Sequence, residues 1–565
     1  MTSPRNPSKK SLFKRYGPDR RILLSTLFLF LTFEPLQLWP FALVALIPWF
    51  DTIARAETRK EAVRQSFWLC FLFSVVTFYW IAYVIHEFGQ VPWALAGIAL
   101  LLFACVGQPQ FYLAAVPLRF ALRKLEAAKH SRISALLVLL WGVVVALFYS
   151  GIDWTLPKLF VDTLGHSLVY TRTLRQAADI GGPAFLTFLL LLPNIALYEA
   201  WRRYRTRGEP AIWGAVKTSS LLVITAIAAW IWAPAYGEKR LAEVAAKLAK
   251  PKRTVRLSAI QANIGDLEKL ASERGYRQAA QRVMRSYYDL SDDAIRQKPR
   301  PDALLWPETA YPSTFRSPDT SDDFARDKEM ESFVASRKIP IAFGGYDKDL
   351  HGRSYNAVFY LHPDGTDSRY AKTILIPFGE YIPLGETFPW IKNLFPMVGF
   401  FGQGPGSVIR EFAGIKTQPV ICYEVLFPNF VRDAVVAGAE VIFNFTNDSW
   451  FGPVGAPYYH LNLASFRSIE SRVPQFRTTN TGFSALILPD GEIVQRSALY
   501  APEIMTSDVP VIEPIPTLML AWGDWFGRTA FALSSLLLAI AHLSAFKRRQ
   551  KARPGVAAAR PASRR

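Results

Sequence analysis

Cysteine is scarce in this chain, with three in 565 residues, and two of them, Cys70 and Cys105, fall inside long apolar runs. Cys422 is left without a partner in its own region. That excludes an intradomain disulfide and leaves a lone thiol that, in an oxidising compartment, needs another reason to be there. Histidine is nearly as rare. In the polar region only His351, His362 and His460 occur, too dispersed to assemble a four-ligand metal site, so no metal or other cofactor is expected. A phosphate-cradling glycine loop is also missing: Gly402-Gln403-Gly404-Pro405-Gly406 is followed by no helix signal and reads as a loop hinge. There is no internal repeat, and the one biased stretch, the Ala/Arg/Pro-rich 552–565, is expected to be disordered. No small-residue cleavage site follows the first apolar stretch, which therefore reads as a retained span and not a signal peptide.

What the chain has in quantity is hydrocarbon and positive charge. Hydrophobic residues make up 51% and aromatics 14%, yet the formal charge is +19. In a soluble protein this balance suggests nucleic acid; here the basic residues sit beside apolar runs, which argues for membrane topology and against a nucleic-acid partner. Apolar stretches recur at 22–35, 38–54, 66–88, 92–118, 133–150, 182–200, 213–234 and 524–546. Most reach the ~20 residues that cross ~30 Å of hydrocarbon. Phe33-Glu34-Pro35 divides the first two, which read as a hairpin, so seven spans are expected before a long polar region and one after it.

Basic clusters at 5–21, 55–64, 119–132, 202–207 and 547–553 all fall on one side if there are eight spans. That side is cytoplasmic by the retention of Lys and Arg in cytoplasmic loops. The expected layout is a cytoplasmic basic tail (1–21), a membrane domain of seven helices (22–234), an extracytoplasmic domain (235–515), a last span (516–546) and a basic tail (547–565). Pro109 breaks the fourth span, either as a tolerated kink or as part of a cleft. The amphipathic 151–181, with Trp154, Lys158, Phe160 and Tyr170, is expected to lie flat at the outer interface.

From 251 the apolar pattern becomes strand-like. Val255, Leu257 and Ala259 alternate with Arg256, Ser258 and Ile260, predicting a half-buried strand. Helices are expected at 274–297, 316–337 and 460–472, and strands at 303–306, 339–343 and 440–444. Hairpins are expected to turn at Pro363-Asp364-Gly365, between strands 354–362 and 369–375, and at Pro489-Asp490-Gly491. The alternation predicts a layered α/β domain with mixed sheets. Between them lies a loop of about forty residues, 377–415, the kind of length associated with lids and binding loops.

The chemistry centres on Cys422. The apolar Pro419-Val420-Ile421 ends on it, and a helical pattern (Phe430, Val431, Ala434, Val435) follows, so the thiol sits at a strand-to-helix turn. A thiol attacks only as thiolate and needs a base or a nearby cation. None of the three histidines occupies a strand end. Glu308 does, after the buried Ala303-Leu304-Leu305-Trp306 with Pro307, where desolvation favours a carboxylate's proton-accepting role. Lys372, read as lying on a strand among apolar neighbours, would be costly unpaired. It could stabilise an oxyanion beside Glu308 and Cys422.

Glu308 in Leu305-Trp306-Pro307-Glu308, Lys372 eight residues before Glu380, and Cys422-Tyr423-Glu424 resemble the Glu-Lys-Cys triad of the nitrilase superfamily. Pro377-Phe378-Gly379-Glu380-Tyr381, Asn447-Asp448-Ser449-Trp450-Phe451-Gly452, Arg467-Ser468-Ile469-Glu470-Ser471-Arg472 and Arg477-Thr478-Thr479-Asn480-Thr481-Gly482 most closely resemble the apolipoprotein N-acyltransferase family, over about 255–495. The resemblance implies an αββα sandwich and a ping-pong acyl transfer at the periplasmic face of a bacterial inner membrane. Cys422 would take an acyl chain from a phospholipid donor as a thioester and pass it to the N-terminal amine of a diacylated apolipoprotein. Glu308 would be base and acid, and Lys372 would steady the oxyanion. Glu380, Tyr423 and Glu424 would support them, and Trp450 would lie near the acyl site. Phe400 and Phe401, in the aromatic-rich loop with Phe388, Trp390, Leu394 and Phe395, are expected either to dip into lipid as a lid or to pack on the sheet. The alternative is a membrane-anchored amidase or nitrilase in which water resolves the thioester; seven spans before the domain argue against it, since an anchor needs one. A scaffold with an inactive domain is opposed by the complete set of three residues.

Overall fold

The computed structural model describes residues 16–128, 133–207, 211–273, 275–394, 399–452 and 454–551. The start of the basic tail, the basic residues of 129–132, Phe395 and the Ala/Arg/Pro-rich end lie outside the described residues, as does the side chain of Trp450.

The N-terminal half is helical. α1 (Arg20–Thr32) begins at Asp19, whose carboxylate accepts from the Arg21 backbone N–H, and at 13 residues spans about 20 Å. Prolines shape the next segment: a 3-10 turn, Trp39–Leu43, with Pro40 in its first turn, then the short α2 (Ile47–Arg55) with Pro48 in its own. α3 (Arg59–Thr77) and α4 (Trp80–Gly89) meet at a 58° bend. The fourth apolar stretch is two helices, α5 (Trp93–Ala104) and α6 (Gln110–Ala128), so Pro109 marks a true break and not a kink. α7 (Ser134–Thr155), α8 (Ala178–Arg207) and α9 (Ala211–Leu248) complete the set before the polar region. α8 is kinked at Gly182, whose φ of +65° only glycine adopts freely. Among the described residues four helices are long and apolar enough to cross a membrane, or five if α3 and α4 form one bent span. α9 continues to Leu248, so residues 235–248 are still helical.

The segment expected to lie flat at the interface is instead packed inside the protein. Of its aromatic residues Trp154 and Phe160 are buried, while Tyr170 is largely exposed. Lys158 is enclosed between Asp153 (3.0 Å) and Asp162 (3.8 Å), with Gln108 from the α5–α6 break donating to Asp162 at 3.0 Å. A buried ammonium requires such partners, and they pull the segment inward.

The polar region forms two six-stranded sheets. The first has the order β12-β1-β2-β3-β4-β5, from Arg253–Gln261 (β1), Ala303–Trp306 (β2), Ile341–Lys348 (β3), Ser354–Leu361 (β4), Asp367–Ala371 (β5) and Glu503–Val511 (β12). The second has the order β11-β10-β9-β8-β7-β6, from Arg410–Phe412 (β6), Ile415–Ile421 (β7), Val441–Thr446 (β8), Gln475–Thr479 (β9), Ala485–Ile487 (β10) and Ile493–Arg496 (β11). β1-β2-β3 and β7-β8-β9 are parallel cores flanked by antiparallel strands. This explains the unbroken apolar run of β2 and the burial of β2 and β8 on both faces. Leu257, Leu305 and Val358 of one sheet share a buried cluster with Ile421, Phe443 and Phe476 of the other.

Three expectations change here. β1 is half-buried only at its start, because Ile260 near its far end packs into a second core with Trp306, Phe343 and helices α11 (Arg277–Ile295) and α12 (Ser321–Arg337), which come after α10 (Asp266–Glu273). β3 runs on to Lys348, paired to β4 along its whole length. β5 ends at Ala371, so Lys372 lies just past the strand and not within it.

The outer face of the second sheet meets α13 (Pro428–Val436) and α14 (Ala456–Ser471), and through them the membrane helices: Val420, Ile442 and Phe466 belong to the same buried cluster as Trp49 and Leu190. Asp179 of α8 ties this seam, accepting from Arg472 (2.6 Å), Arg240 (2.7 Å) and Tyr236 (2.8 Å).

Candidate active site

β7 delivers Cys422 at its C-terminal end with φ +52°, a left-handed conformation that costs a residue with a Cβ ~1–2 kcal/mol. The next residues form a 3-10 turn, Cys422–Leu426. Glu424 holds this turn. One carboxylate oxygen accepts from the Ile421 N–H (2.8 Å), and the other from the Thr373 N–H (2.6 Å), the Ile374 N–H (3.0 Å) and the Tyr370 hydroxyl (2.6 Å). The cysteine turn is thereby bolted to the segment that carries Lys372. Burial pushes the Glu424 carboxyl up to about 7, against these hydrogen bonds and Lys372. Tyr423 donates its hydroxyl to the carbonyl of Leu159 (2.6 Å), fixing the turn to the segment between α7 and α8.

Behind the cysteine is a compact charged cluster. The Lys372 ammonium, with 2% of its side chain exposed, lies 2.8 Å from Glu380 and 3.4 Å from Glu308. The Asn356 amide donates to both carboxylates (2.8 Å to Glu308, 3.1 Å to Glu380). Glu308 also accepts from the Asn447 N–H at 3.0 Å, and Glu380 from the Ile376 N–H at 3.0 Å. Two glycines make room. A Cβ on Gly344 of β3 would stand 2.6 Å from the Glu308 Cα, and one on Gly404 would stand 1.9 Å from the Ala371 carbonyl oxygen, next to Lys372. Burial works against the Lys372 charge, but Glu380, Glu308 and Cys422 hold its pKa above the ordinary lysine value. The Cys422 thiol is pushed up by burial and by the nearby Glu308 charge, with Lys372 opposing.

In front of the cysteine the environment is apolar. A small apolar cavity opens on Cys422, walled by rings from both halves of the chain: Trp80 and Phe160 from the membrane part, Phe451 and Tyr459 from the polar part. His460 also lines it. Its Nδ1 lies 2.9 Å from Asp448, which Arg477 holds at 2.7 Å, and its Nε2 lies 3.4 Å from the Cys422 carbonyl oxygen. Arg477 and His460 hold Asp448 down to about 2 despite its burial.

Glu308, Lys372, Glu380, Tyr423 and Glu424 therefore converge around Cys422: Tyr423 and Glu424 from its own turn, Lys372 and Glu380 from the segment after β5, and Glu308 from the end of β2. Trp450 belongs to the 3-10 turn Asp448–Phe451, whose last residue lines the cavity. The loop pair separates: Phe401 stacks on Tyr346 (centroids 5.8 Å, 5° between planes), while Phe400 is 45% exposed, as are Phe378, Phe388 and Trp390 to similar or greater degree. Packing on β3 thus keeps Phe401 off the loop's outer surface, and neither Phe400 nor Phe401 lines the cavity. Asn356 and His460 are additions that sequence reasoning does not supply. For His460 a signal exists, since Ala456, Tyr459, His460 and Leu463 recur at i, i+3, i+4 and i+7 and all face the cavity.

The fold and site define a carbon–nitrogen hydrolase-type domain joined to a helical membrane part: the carbon–nitrogen hydrolase family profile matches residues 254–513, and that of the apolipoprotein N-acyltransferase N-terminal domain matches 25–196. An apolipoprotein N-acyltransferase of Bdellovibrio bacteriovorus is 32% identical over 491 residues, 82% of this chain and 84% of that protein. One of Geobacter metallireducens is 28% identical over 528 residues, 92% of this chain and 94% of that protein. Among solved structures, an amidase from Nesterenkonia sp. aligns at TM-score 0.33 and 16% identity, covering 46% of this chain and 92% of that one. The chain belongs to the apolipoprotein N-acyltransferase family.

Proposed function

We propose that this protein moves a fatty acyl chain from a membrane phospholipid to the N-terminal amine of a diacylated apolipoprotein, through a thioester on Cys422. The observation that carries the reading is the apolar cavity at Cys422, built jointly by membrane-part and polar-part side chains: an acyl chain can enter it from the bilayer side while its ester meets the sulfur.

Glu308 accepts the Sγ proton as sulfur attacks the ester carbonyl, and the Lys372 ammonium stabilises the oxyanion, worth ~3–4 kcal/mol of barrier. As the intermediate collapses, the C–O bond breaks, Glu308 returns the proton to the glycerol oxygen, and a lysophospholipid leaves. The acceptor amine then attacks the thioester, gives its proton to Glu308, and the sulfur departs as thiol. Because Glu380 is the nearer partner of Lys372, it balances the lysine charge and leaves Glu308 for proton transfer. No metal or other cofactor enters these steps.

In this reading the polar region is an αββα sandwich on the periplasmic side of a bacterial inner membrane. Eight spans put both termini in the cytoplasm, with the short α1 and α2 completing a hairpin. Intact-mass measurement of a diacylated lipopeptide incubated with the protein and phospholipid tests the function: one added acyl chain is expected. Free fatty acid with unmodified peptide would instead mean that water resolves the thioester, as in an amidase.

A further inference from the structure

The second half-reaction leaves one proton unassigned when the acceptor arrives charged. An α-amine has an ordinary pKa of about 8, so at neutral pH most of it is ammonium, which has no electron pair for a thioester. Forming the amide removes two protons from it. Glu308 passes one to the sulfur, and the other needs a separate acceptor. His460 of α14 lines the cavity at Cys422 and takes no part in the steps above, and imidazole is the side chain suited to exchanging a proton at neutral pH.

Its neighbours fix where that proton can be accepted. Asp448 lies 2.9 Å from Nδ1, and an ionised carboxylate has no hydrogen to give, so Nδ1 carries the hydrogen. Arg477 Nη2, 3.1 Å from Nδ1, is committed to the other Asp448 oxygen at 2.7 Å. Nε2 is then a bare lone pair, 3.4 Å from the Cys422 carbonyl oxygen, which has no hydrogen either. Once Nε2 takes a proton, that contact becomes a hydrogen bond and both ring N–H groups have acceptors. The charged groups against the ring among the described residues are Asp448 and Arg477, one of each sign. Phe451 meets it edge-on at 6.2 Å, and the groups that titrate across the cavity are the thiol and the phenols of Tyr423 and Tyr459.

We propose that His460 is a second catalytic base, which takes the first proton from the acceptor's ammonium at Nε2. The inference rests on the acyltransferase reading and adds a residue to its second half-reaction. The electron pair freed by that transfer attacks the thioester carbon. A carbon–nitrogen bond forms, Glu308 takes the second amine proton, the carbon–sulfur bond breaks, and Glu308 hands that proton to the departing sulfur. Nε2 loses its own proton to water after the amide leaves.

The test uses the full-length protein in detergent micelles and follows each half-reaction by intact-protein mass. His460→Gln keeps an amide N–H for the Cys422 carbonyl but cannot take a proton. Acyl-enzyme should form from phospholipid at close to the wild-type rate. Transfer from pre-formed acyl-enzyme to a diacylated lipopeptide should be about tenfold slower at pH 7, as expected if only the neutral share of an amine of pKa ~8 reacts, and the deficit should vanish by about pH 9. Hydroxylamine, neutral at pH 7, should discharge both acyl-enzymes equally. Equal slowing of both half-reactions, or a deficit that persists at high pH or extends to hydroxylamine, would give His460 a structural role and overturn the proposal. Transfer by the variant at the wild-type rate at pH 7 would overturn it too. Wild type tests it without any substitution: transfer at saturating lipopeptide should change little between about pH 7 and 9, whereas a rise of about tenfold would show that the enzyme accepts only the neutral amine. No acyl-enzyme in wild type would instead remove the acyltransferase reading, and this inference with it.

Discussion

The two sides of Cys422 are built from opposite materials. Behind it, Glu308, Lys372, Glu380 and Asn356 form a charged cluster supplied entirely by the first sheet and the loops that leave its strands. In front, Trp80, Phe160, Leu426, Phe451, Tyr459 and Leu463 make an apolar cavity supplied by both the membrane part and α14 with its neighbouring turns. In the proposed mechanism the contrast divides the work. Proton transfer and oxyanion stabilisation need fixed charges in a dry place, which one rigid domain can hold. Taking an acyl chain from a bilayer needs an apolar space continuous with the membrane helices, which that domain cannot make alone.

The largest effects are expected on the charged side. Cys422→Ser should abolish acyl-enzyme and product while leaving the fold intact; detectable acyl transfer in that variant would refute the thioester. Glu308→Gln and Lys372→Ala should each slow acyl-enzyme formation about a hundredfold or more, yet move the thiol in opposite directions. The Glu308 charge raises the thiol pKa and the Lys372 charge lowers it. Alkylation of Cys422 by a small soluble reagent should therefore shift to lower pH in Glu308→Gln and to higher pH in Lys372→Ala. Shifts of the same sign would mean that the cluster does not act on the sulfur as described.

Next in size is the seam that completes the apolar side. Asp179→Ala leaves the buried Arg472 without its carboxylate partner, and breaking such a pair costs about 3–5 kcal/mol. A large fall in thermal stability is expected, and an unchanged melting curve would show that the seam is held by its apolar contacts alone. On the cavity itself, Leu463→Trp should slow acylation by long-chain donors several-fold more than by short-chain ones, with alkylation of Cys422 little changed. Equal slowing of all donors would place the acyl chain elsewhere. The smallest effects belong to the loop. Phe400→Ser should lower the rate with bilayer donors a few-fold without loss of stability, whereas Phe401→Ser should cost about 1 kcal/mol through the lost stack on Tyr346. The reverse pattern would exchange their roles.

The charged side is the more legible in the sequence because its residues sit at strand ends. β2 stops at Trp306 and β7 at Ile421, as their proline and apolar patterns indicate, so local pattern suffices to place Glu308 and Cys422 just past strand ends. Lys372 stands out for a sound chemical reason, the cost of a lone buried ammonium, though its strand ends one residue earlier. Asn356 is invisible in the sequence because its role depends on standing opposite two carboxylates 48 and 24 residues away. His460 occupies no strand end, and the packing of α14 brings it to the Cys422 backbone and the cavity.

By itself the sequence determined the alternation of strands and helices, the hairpin turns, the apolar helices and the turn at Cys422, since all of these depend on the nearest few residues: periodicity, proline and glycine placement, and the desolvation of a single charge. Tertiary structure alone decided the rest. It drew 151–181 inward around Lys158, divided Phe400 from Phe401, and placed Trp80 and Phe160 over Cys422. Each of these depends on which groups, far apart in the chain, must be buried against one another so that no charge is left unpaired and no large apolar surface is left without a partner. No pattern of neighbouring residues records that.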